Sequence, residues 1–294
     1  MVVTGRIACF GASVTEQDPS YCTHLLPEYE VIKFGYGSRQ PSNAGYAYID
    51  LVLSYAPEYC FIDWFSTGWL HADRFDEVKE FIQTLQYKFY TAGCKLIFLI
   101  FPDTTVDKVA AYAMAYKYLT EIGVPVLDIS QSFDVSEVLR DGIHTTEVGG
   151  AMYAEKINEY FATLITKEPP PIIIPEKTKY CDVGSLPINR IIRDKIVFNG
   201  KGQVLGIEQF IGPFSGLISV NGVKMSIWDR WCYYRRDAMS VGFSVDGRTE
   251  VIVLQDDFDR SECVHLDEAD FSVEKYLDWN TCFFIGNVYE ENSI

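Results

Sequence analysis

The stretch Arg6-Ile7-Ala8-Cys9-Phe10-Gly11-Ala12-Ser13-Val14-Thr15 decides the reading of the chain. After Arg6 the run is apolar without alternation, the mark of a strand covered on both faces. Gly11 ends it, and Ser13 stands in the turn that follows. Runs of the same kind recur at residues 31–34, 59–65, 95–101 and 125–129. Helical periodicity fills the intervals. Over 73–92, Phe75, Val78, Phe81, Ile82, Leu85 and Phe89 keep one face, and Gly93 follows as a stop signal. Residues 107–122 end at Gly123 in the same way, and 146–164 carry Val148, Met152, Ile157, Phe161 and Leu164 on one stripe. Strands alternating with helices predict an α/β fold, a doubly wound parallel sheet with helices on both faces.

This pattern stops at Glu168-Pro169-Pro170-Pro171. Beyond it, short β-branched and aromatic runs are separated by turn signals. Asn199-Gly200, Asn221-Gly222 and Asp246-Gly247 are dipeptides that close tight hairpins. The expected organisation is an α/β domain over 1–167, a Pro-rich linker over 168–179 and an antiparallel β-sandwich over 180–294. Trp231 and Tyr233, placed on one strand, would share a face and pack in the sandwich core or at a domain interface, the alternative for this Trp-, Tyr- and Arg-rich stretch being a carbohydrate-binding face.

Composition narrows the function classes. The chain is 48% hydrophobic and 22% charged, as ordinary globular proteins are. A formal net charge of -16, from 25 Lys+Arg against 41 Asp+Glu, argues against nucleic acid and anionic membrane as partners. The first residues lack the basic and long apolar regions of a signal peptide. The eight cysteines form no CxxC pair and several lie in apolar runs, so reduced thiols and a cytoplasmic protein are expected. Neither a metal nor a cofactor is expected: the four histidines are dispersed, and Gly11-Ala12-Ser13 lacks partner glycines at dinucleotide spacing. The oligomeric state is not legible.

Candidate chemistry begins with histidine, the usual general base near neutral pH. His144 lies in Asp141-Gly142-Ile143-His144-Thr145-Thr146, just before the last helix of the α/β half. A carboxylate three residues earlier can take the ring Nδ1–H and fix its tautomer. Ser13 follows the first strand, at the sheet edge where doubly wound folds bind ligands. There its hydroxyl can be a nucleophile and its amide an oxyanion donor, or the residue can be a plain helix N-cap.

Gly-x-Ser-x-Thr after the first strand and Asp-x-x-His before the last helix together resemble the SGNH (GDSL-like) hydrolase family, over roughly residues 5–165. The resemblance implies a flavodoxin-like sheet of the SGNH type, with Ser13 as nucleophile and Asp141 and His144 completing a triad. It implies an oxyanion hole from Ser13 and a second block at Gly35, Gly37 or Ser38, with Ser38 where the family's Gly is usual. The third block should supply an Asn, but Gly68 stands there, so Thr67, Ser66 or a backbone N–H would have to substitute. The implied function is a serine esterase acting on short acyl esters, above all acetyl esters of carbohydrates. An O-acyltransferase using the same acyl-enzyme is one alternative, and a non-catalytic glycan-binding protein is another.

Overall fold

A computed structural model describes residues 4–67, 69–104, 109–166 and 172–291. Gly68 and the start of the helix expected from Asp107 lie outside them. The chain divides into two compact units, Met1–Cys181 and Asp182–Ile294.

The first unit is built on five parallel strands: β1 (Arg6–Gly11), β2 (Glu30–Gly35), β3 (Tyr59–Asp63), β4 (Lys95–Ile100) and β5 (Val126–Asp128). Their order is β2-β1-β3-β4-β5, the doubly wound arrangement that the sequence predicts. The helices are α1 (Ser13–Glu16), α2 (Ile49–Ser54), α3 (Phe75–Thr91), α4 (Val109–Glu121), α5 (Val135–Val138) and α6 (Glu147–Ile165). The apolar runs are unalternating because both sheet faces are covered. Ile7, Cys9, Phe61, Ile97 and Leu99 meet Tyr153, Ile157 and Phe161 of α6. Ala8, Phe10, Cys60, Ile62 and Phe98, which the pleat turns to the other face, are fully buried too. The α3 stripe of Val78, Phe81, Ile82, Leu85 and Phe89 is likewise fully buried.

The predicted linker is, from residue 172 onward, part of this unit. Gln86 Nε2 donates to Ile173 O at 3.0 Å, the Thr84 and Thr178 hydroxyls are 2.7 Å apart, and Tyr180 stacks on Tyr46 with centroids 4.1 Å apart. Residues 168–171 lie outside the described ones.

The second unit is an antiparallel β-sandwich. Its strands are β6 (Gly184–Ile192), β7 (Lys195–Ile211), β8 (Leu217–Val220), β9 (Val223–Ser226), β10 (Arg236–Ser240), β11 (Phe243–Asp246), β12 (Thr249–Leu254) and β13 (Leu277–Glu290). They run in the order β6-β13-β7-β12-β8-β9, with β10 and β11 also paired to β7. Its core gathers Ile196, Phe198, Val204, Ile207, Ile218, Val251, Leu277 and Trp279. The Trp279 indole N–H is satisfied by Gln209 Oε1 at 2.6 Å.

Two sequence expectations need correction here. Asn221-Gly222 closes the β8–β9 hairpin, but the other two dipeptides close none. Asn199-Gly200 lies inside β7, and Asp246-Gly247 links β11 to β12, which follow one another along β7. The two glycines face each other, with Gly247 N donating to Gly200 O at 2.8 Å. Gly200 has φ +116°, and a Cβ there would sit 1.9 Å from Asn287 O, so the site demands glycine for a kink in a continuous strand. Trp231 is not core either. Residues 229–234 form a turn, leaving Trp231 45% and Tyr234 47% exposed, with Arg230 over the Trp231 ring. The alternation that placed Trp231 inside applies to strands and not to turns.

Candidate active site

β1 ends at Gly11, Ala12 is the N-cap of α1, and Ser13 is its first residue. Ser13 is therefore no capping residue, since no side chain caps this helix. With only four residues, α1 contributes the open amides of its first turn and little macrodipole. The turn is pressed onto β3. Ala12 N donates to Asp63 O at 3.1 Å, and a Cβ on Gly11 would meet that same oxygen at 2.4 Å.

Thr15, the last residue of the motif, is buried, as are Asp63 and Tyr21. Its hydroxyl donates to Asp63 Oδ2 at 2.9 Å and also lies 2.9 Å from Tyr21 Oη. Thr15 has one proton and gives it to the carboxylate, so Tyr21 donates to Thr15. Burial pushes the Tyr21 phenol well above its ordinary range, which keeps it a donor. Sequence reasoning missed Asp63, whose only signal is a lone acid ending the apolar run Tyr59–Asp63.

The structure brings Asp141 and His144 together. His144 Nδ1 lies 2.9 Å from Asp141 Oδ2 and 3.1 Å from Oδ1. Oδ1 also accepts the backbone N–H of His144 at 2.9 Å and that of Ile143 at 3.3 Å. Partial burial raises the Asp141 carboxyl, but the hydrogen bonds from His144 and Ile143 outweigh it, and the group is held below its ordinary value. The loop that carries the pair is tied down on every side. Arg140 N donates to His144 O at 2.9 Å, Thr146 N to Val138 O at 2.9 Å, and Thr104 N to Gly142 O at 2.8 Å. Thr146 caps α6 by accepting from Gly149 N at 2.9 Å.

Ser13 and this pair belong to adjoining elements. Gln17, the residue after α1, donates from Nε2 to Thr145 O at 3.3 Å and to Thr145 Oγ1. Among the described residues, no hydrogen bond joins Ser13 Oγ to His144.

Of the remaining predicted positions, Gly37 and Ser38 follow β2 on the same edge. Tyr36 N donates to Gly11 O at 3.0 Å, and a Cβ on Gly35 would lie 2.3 Å from the Glu16 backbone. Gly37 faces the Glu16 carboxylate, and Ser38 has φ +59°. Thr67 Oγ1 donates to Trp64 O at 3.0 Å and accepts from Trp69 N at 3.3 Å, so its hydroxyl proton serves the loop itself. Ser66 Oγ is buried and has no hydrogen-bond partner among the described residues. The Gly68 position lies outside them. No three His, Cys, Asp or Glu side chains gather as metal ligands among the described residues.

No family model and no curated protein matches the sequence. Solved structures do match. A two-domain esterase active on acetylated mannans is 13% identical, covers 97% of this chain and 92% of its own, and superposes with a TM-score of 0.65. Its crystal form with mannopentaose is 14% identical, at 96% and 91% coverage and a TM-score of 0.64. A GDSL-like lipase from Bacteroides thetaiotaomicron is 15% identical, covers 55% of this chain and 89% of its own, and gives a TM-score of 0.43. The chain thus shares its fold, a parallel α/β sheet followed by an antiparallel β-sandwich, with that solved two-domain esterase.

Proposed function

We propose that the chain is a serine esterase of the SGNH type that removes short acyl groups, chiefly acetyl, from a carbohydrate or glycoconjugate. The observation that carries the reading is the Asp141–His144 pair. With Nδ1–H given to Asp141, His144 Nε2 is the ring atom left to act as base. Ser13, in the turn after β1, attacks the ester carbonyl as His144 takes its proton. The tetrahedral oxyanion is received by the Ser13 amide and by N–H groups of the Gly37–Ser38 turn and of Thr67. His144 then protonates the leaving alcohol, and water activated by the same ring releases the acid. Each correctly placed donor is worth about 10²–10³ in rate. The similar two-domain esterase acts on acetylated mannans, which supports a carbohydrate acetyl ester as substrate.

The test is turnover of an aryl acetate and labelling by a fluorophosphonate. Both are expected to depend on Ser13, and turnover by Ser13→Ala at the parent rate refutes the assignment. Product analysis with an added sugar acceptor separates hydrolysis from acyl transfer. A non-catalytic glycan-binding role is favoured by one observation, the exposure of Trp231 and Tyr234. It predicts glycan binding without labelling.

A further inference from the structure

Arg39 follows the Gly37–Ser38 turn and is 8% exposed, the one buried arginine among the described residues. Its Nη1 donates to Tyr48 Oη at 3.0 Å. The guanidinium carbon lies 5.4 Å from the Tyr36 ring centroid and 5.8 Å from that of Tyr48. Those two rings stack on each other at 4.1 Å. Among the described residues no carboxylate pairs with it. Glu16, whose carboxylate lies against Gly37, is not ion-paired to it either.

This is not for want of acids, since the chain has 41 Asp+Glu against 25 Lys+Arg. A buried cation is normally paired or fully hydrogen-bonded, because taking it out of water is costly unless partners replace the lost solvation. Lys275, the other buried cation among the described residues, obeys that rule: its Nζ donates to Phe271 O and Val273 O, both at 3.1 Å. Arg39 has two aromatic faces and one neutral hydroxyl, which compensate in part. What remains is a planar fork of N–H donors matched to a carboxylate.

Its place in the fold says which carboxylate. In a parallel sheet every strand-to-helix turn lies at the carboxyl edge. Arg39 is in the turn after β2, and Ser13 is in the turn after its neighbour β1. We propose that Arg39 recognises a carboxylate carried by the sugar, so that the substrate class is an acylated acidic glycan containing uronosyl units. The substrate assignment rests on the esterase reading. The anion site itself does not.

The experiment is equilibrium binding to the full chain with no ester present, using sodium D-glucuronate, D-glucose and sodium acetate as probes. The wild type is expected to bind glucuronate at least roughly tenfold more tightly than either other probe, the size of one charged hydrogen bond. The preference is expected to shrink with added salt. Arg39→Gln should abolish it, and Arg39→Lys should keep only part. Equal binding of glucuronate and glucose by the wild type overturns the proposal. So does acetate binding as well as glucuronate, or a preference that survives Arg39→Gln. If Arg39→Gln does not fold, as judged by circular dichroism, the three-probe comparison and its salt dependence on the wild type decide alone. Because no turnover is read, this result and the Ser13 test can fail independently.

Discussion

The side-chain amide of Gln17 reaches the carbonyl of Thr145 across 3.3 Å, joining the residue after the Ser13 helix to the residue after His144. This places the Gln17–Thr145 contact between the two halves of the proposed proton relay. Productive geometry for such pairs is held within fractions of an ångström.

Replacing Gln17 with Ala is therefore expected to lower kcat for an aryl acetate by roughly tenfold or more, since small misplacements near the chemistry have effects of that order. Steady-state kinetics check this. The melting temperature should move little, because Gln17 is only half-buried.

Asp141→Asn should lower kcat by up to about 10⁴, because an amide no longer fixes the imidazole tautomer or stabilises its cation. The pH dependence follows from the depressed carboxyl. A carboxyl lowered on folding adds stability above its unfolded value, near 3.9, and loses it as pH falls through the folded value. The parent's stability should thus exceed the variant's above about pH 4 and the difference should vanish below the folded value. Denaturant titrations across that range measure it.

Thr15→Val keeps the shape but removes the donor to buried Asp63 and the acceptor for Tyr21. A loss of about 1–3 kcal/mol in unfolding free energy is expected, the cost of leaving buried polar groups short of partners. A neutral result would mean that the Tyr21–Thr15–Asp63 chain does not hold the nucleophile turn.

Gly35→Ala should be worse than its size suggests. The added methyl would lie 2.3 Å from the backbone of Glu16, so α1 or the end of β2 has to shift. Both stability and kcat should fall together, read by thermal melts and kinetics on one preparation.

Trp231→Ala and Trp279→Ala should differ sharply. Trp231 is 45% exposed in a turn, so its loss should change stability by no more than about 0.5 kcal/mol. Trp279 is buried and hydrogen-bonded, and its loss should cost about 3–5 kcal/mol.

The parallel α/β sheet and the Asp141–His144 contact were legible because each rests on local signals. Unalternating runs such as residues 6–10 report burial on two faces, and a carboxylate three residues before a histidine needs only one turn to reach it. What escaped depended on distant chain. Asn199-Gly200 carries the residues of a hairpin, yet β7 continues through it because β13 pairs along its whole length. Asp63 gains its meaning only when Thr15 and Tyr21 close around it. Arg39 reads as a surface charge until Tyr36 and Tyr48 cover it. Trp231 was misplaced because strand parity was extended into a turn.

All eight cysteines are free and interior, five in the first unit and three in the second. Maleimide or a chromogenic thiol reagent should therefore find no target on the native molecule. Modification can proceed only through opening, and mass spectrometry of the tagged peptides will report which half opened first. The chain thus carries a built-in clock for the breathing of each unit, read without introducing a label.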